Sequence, residues 1–252
     1  MRAIISDVHS NIEALQAVLA DIQEQGAEEI LCLGDIVGYG PNPEECIDLI
    51  EKSCRFCLSG NHDYAVLTHA DRFNPLAEEA VDYTRSVLKP AALSSGRKKA
   101  RWRFLELLPT RITEGDLFYV HGSPRDDRNE YILESDILFG MADKIRQIFE
   151  LTPRLLFVGH THYPGIIDPQ ITFRHPDENA AEFDLPPGQK AIVNVGSVGQ
   201  PRDGDNRACY VLVDGNRITY RRVEYPFHTT MSKMDRVGPI SKEAAGRLEY
   251  GR

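Results

Sequence analysis

Short apolar runs, each closed by a polar signature, set the rhythm of this chain. Residues 3–5 lead into Asp7-Val8-His9, residues 30–33 into Gly34-Asp35, and residues 56–58 into Gly60-Asn61-His62-Asp63. Residues 117–120 lead into His121-Gly122, and residues 155–158 into Gly159-His160-Thr161-His162. Apolar runs this short predict buried strands. The ends of five strands therefore present His, Asp and Asn. Strands of one sheet that end on the same edge would bring these distant residues together.

Between the strands the period changes. A strand over 2–7 is followed by a helix over 12–25, with Ser10 or Asn11 as its cap. Ile12, Leu15, Val18, Leu19 and Ile22 recur at helical spacing, and Gly26 ends the helix. A strand over 29–33 and the loop Gly38-Tyr39-Gly40-Pro41-Asn42-Pro43 lead to a helix over 44–52, then a strand over 54–58. Strand, helix, strand, helix, strand predicts an α/β sheet with mainly parallel strands.

The middle, 72–108, reads as charged and helical, broken at 90–95. It falls between two strand-end signatures and is expected to cap the site. A strand over 117–120, a helix over 136–149 and a strand over 155–158 follow. After His162 come strands at 165–167, 171–173, 191–195, 209–213 and 217–224, with Asp214-Gly215-Asn216 as a hairpin turn. This half is expected to form a second, more antiparallel sheet. The fold class is an α/β/β/α sandwich of two mixed sheets. The chain, 1–252, reads as one domain with a helical insertion over about 65–110 and a peripheral, partly helical tail over about 226–252.

Composition narrows the function. With 252 residues, 42% of them hydrophobic, the chain can bury a large core. A net charge of -9 leaves no basic field for nucleic acid or an anionic membrane. No apolar stretch is long enough to span a bilayer, and Asp7 stands where a cleaved leader would be, so a cytoplasmic protein is expected. Five cysteines, an odd count, argue against a disulfide framework. Cys54-Arg55-Phe56-Cys57 has C-x-x-C spacing, but in a strand such residues face opposite sides, so two buried or semi-buried thiols are expected.

The polar signatures carry the chemistry. Asp7 and His9, two apart on an extended segment, share a face and can chelate one ion. Asp35 offers two oxygens and can bridge two ions. Asn61, His121, His160 and His162 add neutral donors. Five of the eight histidines fall in these signatures. A shell of nitrogen and oxygen without sulfur suits zinc, manganese, iron, cobalt or nickel.

In order and spacing these signatures resemble those of the calcineurin-like metallophosphoesterases, over about residues 2 to 200. The likeness extends to a bacterial and archaeal phosphodiesterase-like branch through Ser6-Asp7-Val8-His9-Ser10-Asn11, Gly34-Asp35-Ile36-Val37-Gly38-Tyr39-Gly40-Pro41 and Asn194-Val195-Gly196-Ser197-Val198-Gly199-Gln200-Pro201-Arg202. The protein Ser/Thr phosphatases and the symmetric dinucleoside-tetraphosphate hydrolases carry Arg near Tyr39 and at the place of Ser59, which sets this chain apart from both. The resemblance implies a four-layer sandwich and two divalent transition-metal ions, manganese foremost, with iron, zinc, nickel or cobalt as alternatives. Asp7, His9, Asp35 and His162 would hold the first ion. Asp35, Asn61, His121 and His160 would hold the second, with Asp35 bridging.

The implied reaction is hydrolysis of a phosphodiester, phosphomonoester or nucleotide-type substrate by a metal-bridging hydroxide, between ions about 3.5 Å apart. His62, left over once the ligands are counted, is the expected acid, with Asp63 holding its imidazole, a role the family's matching pair has. Asn11, Tyr39 and Arg202 are candidate substrate contacts; Arg207 competes with Arg202, and Ser197 and Gly199 are expected to shape the loop by the metals. A small-molecule substrate, no membrane or extended nucleic-acid partner, and a homodimer are expected. A metal-binding interaction module without catalysis and a dinucleoside polyphosphate hydrolase are the alternatives.

Overall fold

The structure, a computed structural model, describes residues 1–70, 73–176, 181–237 and 242–252. The strands are β1 (Arg2–Ile5), β2 (Glu29–Cys32), β3 (Phe56–Cys57), β4 (Arg111–Glu114), β5 (Leu117–Val120), β6 (Leu155–Val158), β7 (Gly165–Ile167), β8 (Phe173–Arg174), β9 (Glu182–Asp184), β10 (Ala191–Asn194), β11 (Ala208–Asp214) and β12 (Arg217–Val223). The helices are α1 (Ile12–Gln25), α2 (Pro43–Ser53), α3 (Asn61–Leu67), α4 (Pro75–Leu88), α5 (Gly96–Glu106), α6 (Glu134–Leu138), α7 (Ala142–Leu151), α8 (Phe227–Val237) and α9 (Lys242–Tyr250).

Two six-stranded sheets result, in the orders β3-β2-β1-β11-β12-β9 and β4-β5-β6-β10-β7-β8. Both are mixed. In the first, β1, β2 and β3 run parallel while β11, β12 and β9 join antiparallel. In the second, β5, β6 and β10 are parallel and β4, β7 and β8 antiparallel. The expected split into an N-terminal and a C-terminal sheet is corrected. β11 and β12 return to the first sheet, because β11 pairs with β1, and β5 and β6 found the second.

Alternation along each strand builds the layers. Ile4, Leu31, Tyr119, Phe157, Val193 and Val211 point between the sheets and pack together. Ala3, Ile5 and Cys32 point the other way, onto Leu15 and Val18 of α1 and Ile47 and Ile50 of α2. Val120, Leu156, Val158 and Ile192 pack on Ile145 and Ile148 of α7. Strands buried on both faces read as unbroken apolar runs, which is why these segments were so plain in the sequence.

Local chemistry fixes the helix ends. Asn11 caps α1 by accepting from the Ala14 N–H at 3.2 Å, and Gly26 closes it in the left-handed region at φ 72°. The single helix expected over 136–149 is two, α6 and α7. Gly140 at φ 82° breaks the chain between them, a conformation glycine adopts without strain. Asn61 opens a helix of its own, α3, which its signature did not announce.

The insertion divides in two. Phe73, Asn74 and Ala77, at the start of α4, line a cleft together with Tyr39 and His62. α5 faces away and is tied to α2 by Arg97 and Arg101 against Glu44, Asp48 and Glu51. Residue 72, the expected start, and 238–241 of the tail lie outside the described residues. The tail forms α8 and α9, where Met234, Ala244, Ala245 and Leu248 pack with Leu76 and Tyr83 of α4. Cys54 is the cap of α2 and not on a strand, so it lies with Cys32 and Cys57 in one core. Burial pushes the Cys54 and Cys57 thiols well up, leaving them inert.

Candidate metal centre and its cleft

The strand ends converge as the alternation requires. Asp7, His9 and His162 form one trio of metal-capable groups, and Asp35, His121 and His160 form another. A third trio, His9, Asp35 and His62, lies between them. Asn61 joins the second trio, its Oδ1 at 3.1 Å from His121 Nε2. All seven expected ligands are buried or in contact with a buried one.

Main chain, more than side chains, positions them. Asp7 and His9 take φ 54° and 47°, Asp35 51°, His160 66° and His162 63°. Such left-handed backbone costs a residue with a Cβ about 1–2 kcal/mol. It persists because the loops bind one another: the Asp7 N–H donates to Gly34 O, His9 N–H to Asp35 O and Ser10 N–H to Ile36 O, at 2.9–3.0 Å. The Ser197 hydroxyl donates to Asp7 O at 2.8 Å and the Gly199 N–H to the same oxygen at 2.9 Å, so both residues shape the loop as expected. Gly60 and Gly159 permit the approach; a Cβ on either would overlap the Asp35 or the Asp7 carboxylate.

Backbone carbonyls fix the imidazoles. His9 Nδ1 lies 3.2 Å from Val37 O, His121 Nδ1 3.1 Å from Leu33 O and His162 Nδ1 2.6 Å from Gln200 O. Each ring therefore carries a proton on Nδ1 and turns Nε2 inward, the arrangement found behind metal-bound histidines. His160 is reversed: its Nε2 faces Asn129 O at 3.2 Å, leaving Nδ1 for the centre.

The inward atoms do not suit one another. His9 Nε2 and His162 Nε2 face each other at 3.0 Å, and Asp7 Oδ1 lies 3.8 and 3.2 Å from them. That oxygen is buried and accepts no hydrogen bond. Three acceptors converging without a donor repel unless a cation shares them. The residues thus fit a metal ion by their own geometry.

Charge supports the same reading. Burial alone would raise Asp7, but His162 and His121 hold its carboxyl below the usual range. Burial is likewise overcome at Asp35, chiefly by His121, and its carboxyl lies well below its ordinary value. Burial, then the neighbouring charge of His162, pushes His9 well down; burial and His121 push His160 to about 3. At His121 the burial penalty loses to Asp35, 3.3 Å away, and the imidazole is held up to about 9. A proton there occupies the place that a cation between His121, Asp35 and Asn61 would take.

His62 and Asp63 do not form the expected pair. Asp63 accepts from the N–H of Gly60 at 3.0 Å and of Val37 at 3.2 Å, and burial with the Asp35 charge pushes its carboxyl up to about 7. Successive residues on a helix point about 100° apart, so Asp63 turns back to the helix start while His62 faces the cleft. Asp63 positions the loop and not the ring. The His62 Nδ1 is buried with no hydrogen-bond partner, and the ring packs on His9, Tyr39 and Phe73 at 4.7–4.8 Å between centroids. Burial lowers His62 to about 4 despite Asp35.

The substrate candidates separate. Asn11 is a correction: its amide donates to Gly199 O and Tyr225 OH and its oxygen caps α1, so nothing is left for a ligand. Arg207 is held by Asp205. Arg202 has no carboxylate partner among the described residues; it donates to Gln200 Oε1 at 2.8 Å and to Tyr39 OH at 3.4 Å. Tyr39 stands edge-on to His9, 4.8 Å between centroids. The cleft above holds about 810 Å³. Several of its residues escaped the sequence reading: Arg128, Asn129 and Tyr131, the last stacked on His160 at 3.9 Å. Their only signal was a dense polar run just after His121.

Two mixed sheets with His and Asp gathered at their ends define a metal-binding α/β/β/α sandwich. The chain belongs to the calcineurin-like phosphoesterase superfamily, whose sequence model matches residues 1–217. It is 37% identical over 245 residues to an uncharacterized protein of Methanocaldococcus jannaschii, covering 93% of this chain and 91% of that one. It resembles the crystal structure of a metallophosphoesterase from Sphaerobacter thermophilus, with TM-score 0.83 and 37% identity over 100% of this chain and 98% of the other. A hypothetical protein from Pyrococcus horikoshii shares the fold, with TM-score 0.72 at 21% identity over 100% and 99% of the two chains. Among the described residues no helix is long and apolar enough to cross a membrane.

Proposed function

We propose that this chain is a phosphoesterase that works with two divalent cations, manganese foremost, on a small-molecule phosphoester. The observation that carries this is the convergence of His9 Nε2, His162 Nε2 and Asp7 Oδ1 without a donor, beside a second set made by Asp35, Asn61, His121 and His160. Asp35 stands between the sets, with Oδ2 at 3.7 Å from His9 and 3.3 Å from His121, where its carboxylate would serve both ions. Divalent cations supply Lewis acidity and make water a nucleophile at neutral pH.

The chain's own residues do the rest. The buried loops exclude bulk water from the floor of the cleft. His62, on that floor with Nδ1 unpartnered, delivers a proton to the leaving oxygen. The desolvated imidazole is neutral alone, and a bound anionic phosphoryl group favours its charged form. Arg202 and Tyr39 orient the phosphoryl group from the His62 side.

The test is removal of metal. Chelation verified by elemental analysis is expected to abolish hydrolysis of bis-p-nitrophenyl phosphate and p-nitrophenyl phosphate, and manganese to restore it at two ions per chain. Undiminished turnover in metal-free protein would overturn the reading. Full activity at one ion per chain would overturn its dinuclear part.

A further inference from the structure

Arginine pairing across the molecule singles out one residue. The chain carries a net charge of -9, and most described arginines sit against a carboxylate, as Arg55, Arg111, Arg125 and Arg154 do. Arg236 and Arg252 have no such partner among the described residues and are exposed, where water solvates them. Arg128 and Arg202 also have none among the described residues, yet both are half-buried and both lie beside the metal cluster. A half-buried guanidinium without a counter-charge is unfavourable unless an anion visits it.

The two stand on different sides. Arg202 lies by Tyr39, His62 and His162. Arg128 lies by Asn61 and His160: its Nε donates to Ser59 Oγ at 3.1 Å, two residues before Asn61, and the next residue, Asn129, offers its carbonyl to His160. The guanidinium is 4.4 Å above the Tyr64 ring, which keeps the fork in one plane. Only Nε has a protein acceptor among the described residues; the two terminal nitrogens are left to the cleft. The backbone under it is firm, because the Asp126 carboxylate accepts from the N–H groups of Arg128 and Asn129.

One phosphoryl group over two cations, with Arg202 beside it, already has its charge balanced. A second unpaired fork on the far side is surplus to that group. The cleft of about 810 Å³ has room for a much larger molecule. We propose that Arg128 binds a second phosphate of the substrate, beyond the phosphoryl group that is cleaved. The preferred substrates are then organic di- or polyphosphates of nucleotide size. The proposal rests on the phosphoesterase reading above. Arg128 binds and takes no part in bond breaking.

The p-nitrophenyl esters of AMP and of ADP share a leaving group and differ by one phosphate. The manganese-loaded wild type is expected to favour the ADP ester by about tenfold in kcat/KM, the worth of one charge-assisted fork. Arg128→Gln should erase that preference while keeping the AMP ester and bis-p-nitrophenyl phosphate within about twofold of wild type. Arg128→Lys, with charge but no fork, should fall between. An equal loss on all three compounds would overturn the proposal, placing Arg128 on the cleaved phosphoryl group or in loop support. Absence of a wild-type preference would overturn it as well. No metal-dependent release of p-nitrophenolate from any compound would instead remove the phosphoesterase reading, and the proposal with it.

Discussion

The metal cluster and the cleft wall above it are built by opposite means. The histidines and carboxylates of the cluster are fixed by main chain: carbonyls of Leu33, Val37, Asn129 and Gln200 hold the imidazoles, and N–H groups of His62 and His160 hold Asp35 and Asp7. Of the non-glycine residues with positive φ, all but Ile171 lie in these loops. The wall is held by side chains: Arg128 on Tyr64, Tyr131 on His160, Phe73 on His62. Tyr64 and Tyr131 are more than 40% exposed, while Asp7, Asp35 and His121 are closed off. Chemistry at phosphorus needs ligands held to a fraction of an ångström. Selection of a substrate needs only a surface, and a surface made of side chains can be replaced without disturbing the loops beneath.

The sharpest way to break this contrast is at its most constrained residue. Asp35→Asn keeps an oxygen for the His62 N–H, now 2.8 Å from Oδ1, and removes the charge. Loss of the carboxylate proposed to bridge the two ions is expected to lower kcat/KM by about a thousandfold or more, since metal charge stabilisation is worth several kcal/mol. Metal-free protein should melt at a lower temperature, because the carboxylate that holds the buried His121 imidazole protonated, 3.3 Å away, is gone. Elemental analysis and thermal unfolding read both effects. An unchanged melting temperature would mean that Asp35 and His121 do not form a charged pair in the metal-free protein.

His62 stands at the boundary between the two regions, with its N–H in the cluster and its ring in the wall. His62→Ala should leave manganese binding unchanged and lose about ten- to a hundredfold in rate on esters with poor leaving groups. On p-nitrophenyl esters, whose leaving oxygen needs little help, the loss should be small. Equal losses on both would remove the proton role and leave His62 as a packing residue.

The same boundary divides what could be read from the sequence. The seven candidate ligand positions stood out because each follows an apolar run, and a strand buried on both faces has an unmistakable pattern. The β5, β6 and β7 runs were legible for the same reason, and α1 through its helical spacing and Gly26, to the residue. The return of β11 to pair with β1 was not, because pairing partners leave no trace in a local pattern. Nor was the left-handed backbone at Asp7 or His160, because the positive φ falls on a residue with a Cβ and not on a glycine. Asn11 misled because a cap and a ligand contact call for the same residue type; only its filled hydrogen bonds decide. Arg128 was silent because its meaning lies in having no carboxylate partner among the described residues, which no local pattern records.

The smallest expected effect tests whether wall and cluster are separable at all. Phe73 enters from the start of the insertion and meets the His62 ring edge-on, 4.8 Å between centroids and 73° between planes. Phe73→Leu keeps an apolar side chain beside Ala77 and Tyr39 and removes the ring contact. Such a contact is worth about 0.5–1.5 kcal/mol, or roughly two- to tenfold. That change is expected in KM for aryl esters, with kcat and manganese affinity unchanged. Isothermal titration with manganese supplies the decisive reading. If Phe73→Leu weakens metal binding, the strained loops depend on the wall that covers them, and the two regions are one device. If it moves only KM, the fold keeps its chemistry in the main chain and leaves the side chains of the insertion to choose what is cleaved.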